Sequence, residues 1–104
     1  VTEIAGRTPP RRIDSAAVPR LKPHVRLQFG EARGKWIVQA PERVLIPDDI
    51  ALAVLQRCDG RASVAAIAAV LAAEYDAPPT EVENDIVELL QDLAEKGIIA
   101  DARD

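Results

Sequence analysis

Two neighbouring stretches near the front of the chain alternate apolar and polar residues with period two. Val25, Leu27 and Phe29 interleave with His24, Arg26 and Gln28, and a second run from Lys35 to Ala40 puts Trp36, Val38 and Ala40 on one side. Period two marks a half-buried strand, and Gly30-Glu31-Ala32-Arg33-Gly34 between the runs is a short turn with glycine at both ends, so the pair predicts a β-hairpin. Pro41 and Glu42 break the second run. The stretch Arg43-Val44-Leu45-Ile46, stopped by Pro47, then predicts a third strand at a sheet edge. A sheet this small is marginal alone and needs a helical layer over its apolar face.

Three helices supply that layer. The first is expected from about Asp49 to Cys58, capped by Asp48 or Asp49, with Ile50, Val54, Ala51, Leu55 and Cys58 at helical spacing and Gly60 as its stop. The second begins at the N-cap Ser63 and is expected to bury Val64, Ile67, Val70, Leu71 and Tyr75, before Asp76-Ala77-Pro78-Pro79 forces a turn. In the third, Thr80-Glu81-Val82-Glu83 reads as a capping box, and the helix runs to Lys96 and stops at Gly97. Strands followed by helices give an α+β class: an N-terminal three-stranded antiparallel meander followed by a three-helix bundle, on a winged helix-turn-helix plan. Residues 1–19 hold Gly6, Pro9, Pro10, Pro19 and the cluster Arg7, Arg11 and Arg12 without an apolar period, and are expected to be a flexible linker or arm. The folded domain is expected over 20–100 and a disordered tail over 101–104.

Composition narrows the function. At 104 residues there is material for one core and one domain. One Cys, one His and no Met leave almost nothing from which to build a metal cage or a nucleophile–base pair, so no cofactor, no metal and no enzyme activity are expected. A lone Cys cannot form an internal disulfide, which fits a reducing, cytoplasmic setting. No apolar run is long enough to span a bilayer, so no membrane is expected. The chain begins with Val1, which fits either a processed product or a domain cut from a longer polypeptide. Residues 1–40 carry eight Lys or Arg against three acids, while 41–104 carry five against fourteen, a front of +5 and a back of −9.

That asymmetry bears on the third helix. A DNA-recognition helix approaches phosphates, yet this one holds Glu81, Glu83, Asp85, Glu88, Asp92 and Glu95 against Lys96 alone. Nucleic acid is therefore not its partner, and a nucleic-acid-binding domain survives only as the alternative that uses the basic arm. Wound at 100° per residue, its apolar residues span an arc of about 160°, wider than the roughly 100° needed to face a core. With Val82, Ile86, Leu89 and Leu93 toward the core, Val87, Leu90 and Ala94 fall at a shoulder. Periodicity leaves two readings open: neighbouring helices cover both sides, or the shoulder walls a groove beside the sheet. The apolar edge run Val44-Leu45-Ile46 offers the other wall, because an edge strand without charge or proline is either covered or built to pair. An extended peptide adding there would take main-chain bonds from the strand and side-chain selectivity from the helix. The candidate peptide-binding residues are thus Arg43, Val44, Leu45, Ile46, Ile86, Val87, Leu90 and Ala94. His24 is expected to be an ordinary surface histidine, Cys58 a small buried hydrophobe, and Trp36 a core anchor.

The succession Pro19-Arg20-Leu21-Lys22-Pro23-His24-Val25-Arg26-Leu27, then Trp36-Ile37-Val38-Gln39-Ala40-Pro41-Glu42-Arg43-Val44, then Cys58-Asp59-Gly60 resembles the pyrroloquinoline quinone biosynthesis protein D family over residues 19–99. The resemblance implies a recognition element for ribosomally made, post-translationally modified peptides. It implies that a precursor peptide is held as an added strand against the third strand and third helix, and presented to a radical S-adenosylmethionine (SAM) enzyme that crosslinks a Glu and a Tyr. It implies a chaperone that performs no chemistry itself and is a monomer, and that some members are fused behind the pathway's final oxidase.

Overall fold

The computed structural model describes residues 12–103, and the arm residues Gly6, Arg7, Pro9, Pro10 and Arg11 lie outside them. The expected hairpin forms from β2 (Arg26–Gly30) and β3 (Lys35–Ala40), and β4 (Arg43–Leu45) follows after the Pro41-Glu42 turn. All pairings are antiparallel in the order β2-β3-β4, which leaves β4 at an edge. Leu27 sits opposite Val38, and Val38 opposite Leu45, so these three share the face that packs on the helices. Gly34, at φ +66°, closes the hairpin by donating its amide to the Gly30 carbonyl at 2.8 Å. That left-handed geometry is one that only glycine adopts without cost.

A second sheet, absent from the sequence expectation, joins the two ends of the chain. β1 (Pro19–Leu21) pairs antiparallel with β5 (Ile99–Asp101) in the register Pro19 to Asp101 and Leu21 to Ile99. The meander is therefore neither the first nor the only strand system, and the expected boundaries need correction at both ends. Ile13 and Ala17 are buried in the core, and the carbonyls of Ser15 and Ala17 accept the amides of Ala65 and Val64 at 3.0 and 2.8 Å. Residues 12–18 thus cap the start of the second helix instead of forming a linker. At the other end Asp101 is 5% exposed, and its carboxylate accepts the Val18 amide at 3.0 Å and the Arg103 guanidinium at 2.6 and 2.8 Å. No tail begins there. Burial by itself raises the Asp101 carboxyl, but the Arg103 side chain and the amides of Val18 and Arg103 outweigh it and bring its pKa down to about 2.

The three helices are α1 (Asp49–Leu55), α2 (Val64–Tyr75) and α3 (Pro79–Glu95). Asp48 caps α1 by accepting the Ala51 amide at 2.8 Å, and Ser63 caps α2 through Ala66 at 3.1 Å, as expected for these residue types. α1 ends earlier than expected. Gly60, at φ +78°, does not terminate it, but turns the chain so that its amide reaches the Pro19 carbonyl of β1 at 2.9 Å. The capping box of α3 does not form: Pro79 opens the helix with Pro78 as N-cap, which places Thr80 inside the first turn. Its C-terminus is a Schellman motif. The Ile98 amide bonds the Leu93 carbonyl at 2.9 Å and the Gly97 amide bonds that of Ala94 at 3.1 Å, with Gly97 at φ +78° and Ile98 packed beneath.

The core joins Val38, Val54 and Leu55 to Val64, Ile67, Ala68 and Leu71 of α2 and to Ile86, Leu90 and Leu93 of α3, closed by Ile98 and Ile99. Two expected core residues of α2 are not there: Val70 is 46% and Tyr75 51% exposed. The helix is nearly all apolar, so its inward face is chosen by close approach at Ala68 and Ala72, which pattern alone does not reveal. Trp36 also lies outside the buried cluster, edge-on to the exposed Phe29 at 5.7 Å. Among the described residues no helix is long and apolar enough to cross a membrane.

Candidate functional site

The site begins with main chain. Among the described residues no strand pairs with the outer side of β4, and its apolar residues are unusually bare: Val44 is 57% and the following Ile46 53% exposed. Arg43 is exposed and Leu45 partly buried against the core. An edge of this kind, without proline or an inward charge, is one that natural proteins ordinarily blunt.

Hollows bracket β4 at its two ends, each with a wall from α3 or its C-terminal turn. A hollow of about 270 Å³ lies between Ala40, Pro41, Glu42 and Arg43 on the sheet side and Lys96 and Gly97 at the foot of α3. Beyond the other end of β4, a hollow of about 200 Å³ is lined by Asp48, Ile50 and Ala51 of the α1 entry and by Asp85, Ile86 and Leu89 of α3. It opens into a third, of about 230 Å³, through the shared residues Ile50, Asp85 and Ile86, to which Leu71, Tyr75, Ala77 and Val82 add apolar walls. Taken together the hollows outline a trench at β4 whose α3 side is formed by Val82, Asp85, Ile86 and Leu89, about one helical turn apart, at one end and by Lys96 at the other.

This is the opposite shoulder from the one the periodicity singled out. Leu90 is fully buried and Ile86 is 2% exposed, so Leu90 is a central core residue and no part of a shoulder. Val87 and Ala94 are partly buried on the far side of the helix. Gln91, which shares that side, accepts the Ile13 amide at 2.9 Å, so Ile13 lies against it. Of the candidate residues, Arg43, Val44, Leu45 and Ile46 form the edge, Ile86 reaches the trench from below, and Val87, Leu90 and Ala94 are not brought to it. Val82, Asp85, Leu89, Ile50 and Tyr75 were missed. The arc of α3 signals two shoulders, and which one is open depends on a cover that reads locally as linker.

Electrostatics make the trench acidic at one end. Lys96 is engaged by Asp92 at 2.8 Å, while Asp85 has no ion-pair or hydrogen-bond partner among the described residues. Asp48 spends one oxygen on the Ala51 amide. The Cys58 thiol is buried and donates to the Val54 carbonyl at 3.3 Å. Burial first, and the neighbouring Asp59 charge second, push its pKa up to about 12, so it remains a protonated thiol and a poor nucleophile at neutral pH. Among the described residues no cluster of His, Cys, Asp and Glu could hold a metal ion.

Compared with known proteins, residues 35–99 match the family of coenzyme PQQ synthesis protein D (PqqD). A PqqA binding protein of Rhodopseudomonas palustris (strain TIE-1) is 50% identical over 97 residues, covering 91% of this chain and 95% of its own. One from Xanthomonas campestris pv. campestris (strain 8004) is 48% identical over 87 residues, 84% of this chain and 95% of its own. Among solved structures, the PqqD truncation of Methylobacterium extorquens PqqCD is 45% identical with a TM-score of 0.73, covering 84% of this chain and 93% of that one. It represents a functional, stand-alone recognition element for ribosomally synthesized and post-translationally modified peptides. Lasso peptide synthetase B1, complexed with its leader peptide, is 27% identical with a TM-score of 0.69, covering 80% of this chain and 98% of that one.

Proposed function

The chain belongs to the coenzyme PQQ synthesis protein D family, and from that premise we propose that it binds the precursor peptide PqqA as an added β-strand on the outer edge of β4. The observation that carries this reading is the bare edge itself, Val44 and Ile46 more than half exposed beside a trench walled by α3. The leader peptide bound to the related lasso synthetase chain supports it. In the same reading the chain performs no chemistry, acts as a cytoplasmic monomer, and presents the bound peptide to a radical SAM enzyme. Its meander and three helices then play the parts of the wing and bundle of a winged helix, with β4 turned to peptide instead of nucleic acid. Fusion to the pathway's final oxidase belongs to the same proposal, and the PqqCD origin of the Methylobacterium relative supports it.

Magnitudes require both walls. Three main-chain hydrogen bonds at about 0.5–1.5 kcal/mol net give roughly 1.5–4.5 kcal/mol, no more than the lower end of the estimated cost of association. Burying roughly 300 Å² of apolar peptide surface in the trench adds about 7–8 kcal/mol at about 25 cal/mol per Å², which leaves roughly 5–8 kcal/mol after the lowest association cost of about 4 kcal/mol and corresponds to binding between about 0.2 mM and a few micromolar.

The test uses PqqA of Rhodopseudomonas palustris, N-methylated at one amide at a time, titrated into the chain by calorimetry. Only every second amide of an added strand faces the edge, so affinity should fall with period two along a short segment. Uniform tolerance of N-methylation would refute strand addition. The nucleic-acid alternative is opposed by the acidic exposed face of α3, and a gel shift at low salt separates the two.

A further inference from the structure

We propose that the end of the trench beyond β4 is a side-chain anchor, taking a phenyl-sized apolar residue of the bound peptide with a Lys or Arg within two residues of it on Asp85. The inference rests on the peptide-binding reading and specifies what that peptide carries. The hollow between Ile50, Leu71, Tyr75, Ala77, Val82 and Ile86 measures about 230 Å³. An apolar cavity of about 150 Å³ is enough to hold benzene, so this one accepts a phenyl ring and its connecting carbon. Large hydrophobes ring its mouth while remaining in water: Ile50 is 50% and Tyr75 51% exposed. The chain's own core does not close over them, since Leu71 and Ile86 at the floor are already buried and no side chain of the described residues fills the space above.

Charge selects the neighbour of that residue. Asp85 is the single charged group on the lining, and it is shared with the adjoining hollow, where Asp48 is the second. No Lys or Arg of the described residues lines either hollow. A peptide carboxylate placed there would face Asp85 and Asp48, whereas an ammonium or guanidinium meets an acceptor that no other described residue occupies. The hollow lies past the end of β4, so a peptide paired along the edge enters it only after leaving the ladder. The anchor therefore reads a residue outside the added strand.

Two variants test this on the full chain, with PqqA of Rhodopseudomonas palustris and its single-alanine series as probes. Ala77→Phe fills the hollow from a loop position whose own φ is not in the left-handed region, and Asp85→Lys reverses an exposed charge. The result expected is that one large apolar PqqA residue loses at least tenfold in affinity when replaced by alanine in the wild type and little in Ala77→Phe. A cation within two residues of it loses roughly threefold or more, and that loss vanishes in Asp85→Lys. Far-ultraviolet circular dichroism and amide spectra confirm that both variants fold. Wild-type binding that persists undiminished in both variants would overturn the anchor and leave peptide recognition intact, while no binding of PqqA to the wild type would overturn both. Should Ala77→Phe change sedimentation but not peptide affinity, the hollow would be a self-association site and the proposal would fail.

Discussion

Replacing Leu89 and Leu90 by Asp, one at a time, separates the trench from the core with neighbouring residues of the same type. Leu89 is partly buried on the trench wall, so a bound peptide removes from water only the remainder of its side chain. That remainder is worth roughly 1 kcal/mol of the 1.5–3 kcal/mol for burying a whole leucine. The new carboxylate must also be desolvated beside Asp85, adding roughly 1–2 kcal/mol. The total of roughly 2–3 kcal/mol weakens PqqA binding about 30- to 150-fold, while loss of the part of Leu89 already packed on the core lowers the melting temperature modestly, far less than at Leu90. Leu90 is fully buried at the centre of the core. There the substitution loses leucine packing and buries an unpaired charge, roughly 4–5 kcal/mol, comparable with the whole stability of many small domains. Calorimetry against PqqA with a parallel thermal melt reads both effects. If Leu90→Asp folded normally and lost only binding, or if Leu89→Asp bound PqqA as tightly as the wild type, the assignment of the open shoulder would be wrong.

Two further outcomes concern the closure of the chain ends and the lone thiol. Asp101→Asn should cost roughly 2–3 kcal/mol, because it weakens charge-assisted bonds to Arg103 and Val18. The Asp101 pKa is held below its unfolded value at about 2, so its contribution is fully present above pH about 4. It disappears as pH falls toward 2, and denaturant melts across that window should show the loss in the wild type but not in Asp101→Asn. Cys58, buried with its pKa near 12, should resist a disulfide reagent at pH 8 until the protein unfolds. Labelling within seconds in native buffer would contradict its burial.

Much of the architecture was legible because it is local. Period two marks the hairpin, the short apolar run between Pro41 and Pro47 marks the edge strand, Asp48 and Ser63 mark two helix starts, and Gly97 marks the end of α3. What escaped was non-local. Pro19 pairs with Asp101 across almost the whole chain, and three-residue strands of mixed composition carry no pattern of their own. That omission propagated into the site. With residues 12–18 read as linker, the cover that Ile13 gives near Gln91 was not visible, and the Val87 and Ala94 side of α3 read as open. The packing of Ile13 and the Gln91 bond to its amide reverse the choice. Pro78-Pro79 shows a local signal that misled: a Pro at the first helical position competes with Thr80 for the start of α3, and fixes it two residues earlier than the capping box would.

Amide chemical-shift mapping of the chain on addition of PqqA tests the central claim most directly. The account predicts the largest shifts at Arg43 through Ile46 and along Val82, Asp85, Leu89 and Lys96, with Val87, Ala94 and Ile13 almost unmoved. Shifts concentrated at Ile13, Val87 and Ala94, with β4 silent, would contradict it.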